Sequence, residues 1–442
     1  MKKSPTVSRV ASWGIPWFVY CMQHVVLSIP PEMRWMGGMK RAPIRRRIRR
    51  LVPRSKSRRK TLRLGHTRRF VSRVFAGDLH ALRVVSLANG VVGVLNAAVL
   101  SVAAIGQAYA RVANITPKSG VKQVDRLLSN DGVDVDTVMR RWVQFVVGTA
   151  ASIVIALDWT DFDRDDHTTL CAYLVTTHGR AMPLAWKTVK KSELAERRSQ
   201  LEEQLIDSLH TWIPTTVRIT LLADRGFGSQ VLYTSLAILG WDYIIRFRGC
   251  ILVDVNGTQK PASEWLLPRG RARKLAGAKV TADRTEIGAV VAVQAKGMKD
   301  PWYLATSLRE SSAAEVIQLY GRRFTIEETF RDTKDLHFGM GLSATHIRDA
   351  DRRDRLLLLV AMAHTLLTLL GAASEASGLD RYLKVNTVKR RTHSLFRQGL
   401  YWYDCIPDMR EEWLRRLMDA YDEIVRGHAF FSLFFAHEGP SK

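Results

Sequence analysis

The chain has 442 residues, 46% hydrophobic and 25% charged, with a formal net charge of +25. That length allows two or three domains with sizeable cores, and the ordinary apolar share argues against a wholly unfolded chain. The four cysteines (Cys21, Cys171, Cys250, Cys405) are scattered with no C-x2-C pair, which argues against a disulfide framework or a cysteine zinc site and fits a reducing cytoplasm.

Charge divides the chain first. Residues 1–77 hold 20 of the 67 Lys/Arg and one acid, Glu32, whereas the remaining 47 basic and 41 acidic side chains nearly balance. Basic charge favours a polyanionic partner, and nucleic acid is the default candidate. Within residues 1–64, RAPIRRRIRRLVPRSKSRRK is a dense cation block of the solvated, poorly ordered kind. An apolar run from Val10 to Pro30 follows Lys2, Lys3 and Arg9 like a signal peptide, but Pro16, Gln23 and His24 interrupt it and arginines follow. The segment reads either as a DNA-binding arm or as an over-long gene start, with translation from Met33, Met36 or Met39.

Residues 65–150 have a helical pattern. The run from Val84 to Gly106 is long enough to cross a bilayer. It carries Ser86, Asn89, Asn96 and Ser101, so it reads as buried helices and no membrane partner is expected. In PKSGVKQVDRLLSN, Lys118, Lys122 and Arg126 recur at i, i+4 and i+8, opposite Val121, Val124, Leu127 and Leu128. Such a stripe is either a solvated face or a set of phosphate contacts.

Over residues 151–248 the period changes. ASIVIALDW, TLCAYLVTTH and PLAWKTV read as three strands, then ELAERRSQLEEQLIDSLHTW as a helix. VRITLLADRG is a strand, GSQVLYTSLAILG a helix and DYIIRFRG a strand. Three strands, helix, strand, helix, strand is the order of a ribonuclease-H-like α/β core. Residues 249–305 read as a β-rich insertion, 306–375 as the second part of the core, and 376–442 as C-terminal helices.

The second part of the core opens on LYGRRFTIEETFRDTKD, in which Tyr320, Arg323, Glu327 and Lys334 read Y-x2-R-x3-E-x6-K. At about 100° per residue they fall within about 60° of one another on a helical wheel. A core helix would carry apolar residues there; a phenol, two cations and a carboxylate suit a site that holds a divalent metal and a phosphate. Glu328 lies about 100° away and is off that face. Two more carboxylates have the right setting. Asp158 is expected to end the apolar strand SIVIALDW, and Asp224 the strand VRITLLADRG, with Gly226 and Gly228 permitting a tight exit. An acid at the end of a buried strand is costly unless something binds it, although either could be a turn cap. Asp161, Asp163, Asp165 and Asp166 read as loop acids. Metal-assisted phosphodiester cleavage needs hard oxygen ligands of this kind; Arg323 can bind phosphate bidentately, Lys334 as a point charge, and Tyr320 by one hydrogen bond.

ALDWTDF, LLADRGFG and YGRRFTIEETFRDTK together resemble the DDE transposases of bacterial insertion sequences, specifically the insertion-sequence-four family with its Y-R-E-K signature. The resemblance covers roughly residues 70–442, including LHALRVVSLANGVVGVLNAA and HSLFRQGLYWYD. It implies a ribonuclease-H-like catalytic domain interrupted by a β-rich insertion, and an N-terminal helical domain that binds double-stranded DNA at the element's inverted-repeat ends. It also implies that Asp158, Asp224 and Glu327 ligate two Mg²⁺ or Mn²⁺ ions, and that Tyr320, Arg323 and Lys334 hold backbone phosphates. The implied reaction nicks the element end, forms a hairpin, and joins the opened end to target DNA, with a homodimer at synapsis. Trp302 occupies the place of a tryptophan that stacks on a flipped base, although a core Trp on a strand is the alternative. Two other functions stand beside this one: a non-catalytic DNA-binding protein or repressor derived from a transposase, and a ribonuclease-H-like nuclease that cuts without joining.

Overall fold

The computed structural model describes residues 64–337 and 339–427, so the basic block and the first apolar run lie outside the described residues. Five helices come first: α1 (Leu64–Phe75), α2 (Ala81–Ala97), α3 (Val102–Ala113), α4 (Pro117–Leu128) and α5 (Val135–Val147). The local chemistry sets their ends. Ser101, Thr116 and Asp134 each cap a helix by accepting a backbone N–H, and Pro117 takes a first-turn position of α4. The run from Val84 to Gly106 therefore breaks into α2 and α3, bent by 99° at the left-handed Ala98 and the cap Ser101. Helices α3 and α4 cross through Gly106 and Gly120, where any Cβ would strike the backbone of the facing helix.

The sheet follows. Strands β1 (Ser152–Phe162), β2 (His167–Leu174) and β3 (Met182–Lys190) form an antiparallel meander. Helix α6 (Arg198–Trp212) leads to β4 (Arg218–Ala223), and α7 (Gln230–Ile238) to β5 (Asp242–Arg246). Strand β4 lies parallel to both β1 and β5. Seven short strands come next: β6 (Leu252–Val255), β7 (Thr258–Pro261), β8 (Arg273–Ala276), β9 (Lys279–Val280), β10 (Thr285–Glu286), β11 (Ala289–Val293) and β12 (Trp302–Thr306). They do not stay together. The large sheet has the order β3-β2-β1-β4-β5-β12-β11-β8, whereas β10, β9, β6 and β7 make a second, four-stranded sheet. The result is a mixed α/β architecture around one large mixed sheet.

The chain then returns through α8 (Ala313–Gly321), a 3-10 turn (Arg322–Phe324) and α9 (Thr325–Lys334). The longest helix among the described residues, α10 (Ala350–Ala376), is apolar on all sides beyond its charged start at Asp351–Arg355, and 94% of its most apolar window is buried. It packs on β3, α2 and the last two helices, α11 (Leu395–Cys405) and α12 (Glu411–Gly427). Being wrapped all round by protein accounts for its lack of a polar face.

Candidate active site

Strand register brings the two aspartates together. Parallel pairing of β1 with β4 ends at Leu157 opposite Ala223. Asp158 is the next residue on β1, and Asp224 is the residue directly after β4 ends. Asp158 does not end its strand, contrary to the sequence-based expectation. The strand runs on to Phe162, paired only with β2 through Asp158–Cys171 and the four pairs beyond it. What ends at Asp158 is the parallel pairing on its other side, because the chain after Asp224 turns away through Arg225–Gly226. Asp158 is therefore held rigidly by one neighbour and left open towards the other.

The Tyr320–Lys334 segment is not one continuous helix. The 3-10 turn at Arg322–Phe324 interrupts it, so a single wheel at 100° per residue does not describe it. Tighter winding still brings Arg323 and Glu327 to the same place. The Arg323 guanidinium bridges two carboxylates, donating from Nη1 to Asp158 Oδ2 at 3.0 Å and from Nη2 to Glu327 Oε1 at 2.6 Å. Lys334 stands further along the same face of β1. Its Nζ donates to Thr160 Oγ1 at 2.9 Å and to the Asp161 carbonyl at 2.6 Å, and lies 4.6 Å from the Phe162 ring centroid. Residues 158, 160 and 162 alternate onto one face of the strand, so α9 crosses that face with Glu327 at one end and Lys334 at the other.

Electrostatics mark the cluster. Burial pushes the Asp158 carboxyl up to about 6; Arg323 opposes that rise, and Glu327 and Asp224 add to it. The Tyr320 phenol is pushed up to about 12, chiefly by burial, so it stays a donor. Burial also lowers the Lys334 ammonium below its ordinary value. Three buried polar atoms here make no hydrogen bond of good geometry, Asp224 Oδ1, Tyr320 Oη and Arg323 Nε, and the Tyr320 hydroxyl has only a weak interaction with Arg323. Orphaned buried groups of this kind are costly unless a ligand completes them.

Three carboxylates, one with an orphaned oxygen and another pushed up by burial and like charge, suit a hard divalent cation in donor chemistry. As they lie, no three acidic, imidazole or thiolate groups among the described residues could hold one ion; Arg323 spans the carboxylates instead.

Trp302 opens β12 and is half-buried. It meets Tyr320 edge-on at 5.0 Å and stacks on Phe324 at 5.8 Å, with Phe324 37% exposed. Sequence reasoning missed Phe324, and also Arg246. The pairing of Ala223 with Ile245 sets Arg246 beside Asp224, and its Nη2 donates to the Pro301 carbonyl at 3.1 Å. The available signal was an arginine closing the apolar strand DYIIR. Asp161, Asp163 and Asp165 are engaged elsewhere: the first two with Lys191, the third with Arg353 and His346. Glu328 pairs with Arg331 at 3.0 Å and, more loosely, with Arg180 at 3.7 Å. Lys118, Lys122 and Arg126 are exposed on α4, away from this cluster in the chain and on a separate element.

Residues 150–366 match the family model described as a transposase DDE domain. This stretch is similar to such domains, which supports a transposase-type function; it contains Asp158, Asp224, Trp302, Tyr320, Arg323, Glu327 and Lys334 and leaves out the α4 stripe. No curated protein matches the chain.

Proposed function

We propose that the protein is a DNA transposase of the insertion-sequence-four type, cutting double-stranded DNA at the inverted-repeat ends of its own element and joining them to a target. The observation that carries this is the bridging of Asp158 and Glu327 by a buried arginine, with Asp224 just beyond the parallel pairing next to Asp158, from strands and a helix far apart in the chain. The strand order β3-β2-β1-β4-β5, three antiparallel and two parallel, supports a ribonuclease-H-like core.

Asp158, Asp224 and Glu327 would hold two Mg²⁺ or Mn²⁺ ions, which supply charge neutralisation at phosphate and an activated oxygen nucleophile. The other side chains orient DNA. Arg323 presents a planar fork to a phosphodiester, and its bonds to Asp158 and Glu327 keep it extended until one arrives. Tyr320 donates its hydroxyl to a phosphate oxygen, and Arg246 adds a second cation. Lys334 contacts the backbone further along β1. Trp302 and Phe324 form an aromatic shelf on which an unstacked base can rest, as a hairpin intermediate requires. The exposed Lys118, Lys122 and Arg126 steer duplex phosphates, and two copies act together at synapsis in the bacterial cytoplasm.

The test is cleavage by the purified full chain of a duplex carrying the inverted repeats that flank its gene. With Mg²⁺, 3′-OH ends and then joined products are expected. Cutting without joining would favour the nuclease, and binding without cutting the repressor.

A further inference from the structure

We infer that Arg180, Thr329 and Asp332 form a clasp that positions the Glu327 helix, with Arg180 and Thr329 acting as positioning residues for the reaction proposed above; the inference rests on that reading. Helix α9 has a second polar face. Thr325, Thr329 and Asp332 follow at i, i+4 and i+7, roughly opposite Glu327 on the wheel. Each meets the residues just ahead of β3. The Thr329 hydroxyl accepts from Ala181 N at 2.9 Å and donates to Ala181 O at 2.8 Å, and the Thr325 carbonyl accepts from Ala181 N at 3.1 Å. Asp332, 3% exposed, accepts from Arg180 Nε at 2.6 Å, and Arg397 Nε stands 3.7 Å from its other oxygen.

A carboxylate this buried is tolerated only when cations compensate it closely, and the short charge-assisted bond from Arg180 does so. The clasp acts on the catalytic geometry because β3 pairs with β2, and β2 with β1 across Asp158. It therefore ties the helix of Glu327 to the sheet of Asp158 without touching either carboxylate. Arg323 also links them, but that link loosens whenever Arg323 turns to a phosphate. The clasp remains, and with the Lys334 bonds to Thr160 and Asp161 at the far end of α9 it then sets the spacing of the carboxylates.

The experiment compares the full-length chain with R180Q, R180K and T329V in three measurements: amide hydrogen exchange over residues 325–334, Mn²⁺ affinity by calorimetry, and kcat against KM on inverted-repeat DNA. In R180Q and T329V, exchange is expected to quicken and Mn²⁺ affinity to fall about tenfold. The rate should fall through kcat with KM for DNA unchanged, and R180K should restore most of both. A folded R180Q with exchange, Mn²⁺ affinity and kcat like the parent overturns the clasp. If R180Q does not fold, T329V, which removes only the hydroxyl contacts, decides by the same readings. If the parent neither binds Mn²⁺ nor cuts DNA, the functional reading falls. The clasp is then judged by exchange alone: faster in T329V supports it, unchanged overturns it.

Discussion

Asp158 and Asp224 lie one residue beyond the same cross-strand pair, Leu157 opposite Ala223, on two parallel strands 66 positions apart in the chain. Their carboxylates thus leave a buried sheet side by side where its parallel pairing ends, and Glu327 reaches Asp158 through one guanidinium.

Removing a carboxylate charge should stop chemistry while leaving the fold. D158N, D224N and E327Q are each expected to lower cleavage more than about a hundredfold, with DNA affinity in a gel-shift assay retained. E328Q, which alters a pair with Arg331 and a longer one with Arg180 at 3.7 Å, should still cut, because Arg180 keeps its shorter bond to Asp332. Loss of cleavage in E328Q with retention in E327Q would reverse the assignment.

Arg323 holds two acids, so its loss should be felt first as repulsion. R323A is expected to cost about 1–3 kcal/mol, below the usual range for a broken buried pair because Glu327 is half exposed. Added Mg²⁺ should then raise the melting temperature of R323A more than that of the parent, since a bound cation takes over the neutralisation. Equal shifts in the two proteins would mean that the acids do not share a cation site.

Tyr320 separates stability from function. Its hydroxyl is buried with no hydrogen bond of good geometry and only a weak interaction with Arg323, so Y320F should change stability by less than about 1 kcal/mol in either direction. Cleavage should nevertheless fall about tenfold, as one phosphate contact is lost. Paired measurements of melting and of cleavage rate check this; a destabilised Y320F with full activity contradicts it.

Acid should weaken the fold through His178 and His364. All four of their ring nitrogens are buried without protein partners among the described residues. Burial first, then nearby cations, lowers His178 to about 3; burial lowers His364 to about 4. Each remains neutral when folded but takes a proton when unfolded. Their stability contribution is therefore complete above about pH 6.5 and is lost as pH falls towards those values, by up to about 1.4 kcal/mol per unit for each histidine. Asp354, raised to about 7 by burial, opposes this because the folded state protonates it first. The difference between proteins isolates one group: H364F, which keeps the ring contact with Phe396, should gain on the parent by about 1–2 kcal/mol between pH 7 and 5 in urea unfolding. A constant difference across that interval would rule out the titration.

Much of this is legible in the sequence because it is local. Short apolar runs mark β1 to β3, caps at Ser101, Thr116 and Asp134 mark helices, and the polar face from Tyr320 to Lys334 stands out against an apolar surround. Local patterns also mislead in definite ways. Asp158 reads as a strand end because the apolar run stops, yet backbone pairing with β2 carries the strand on to Phe162. A uniform wheel hides the 3-10 turn at Arg322–Phe324. The strands after residue 249 read as one unit, yet β8, β11 and β12 extend the large sheet through pairings that composition does not encode.

The sequence by itself determined the residue types: two acids in apolar settings, a third acid with two cations and a phenol at set spacings, and a basic segment that mostly precedes the described residues. Tertiary structure alone decided which of these meet. Register set Asp158 beside Asp224 and Arg246 on the other side of Asp224, Arg323 reached across 165 positions to Asp158, and Thr329 and Asp332 locked the far side of the Glu327 helix to residues 180 and 181. The physical reason is that helix and strand periodicity depend on neighbours a few residues away, whereas these contacts depend on the packing of elements separated by tens to more than a hundred residues.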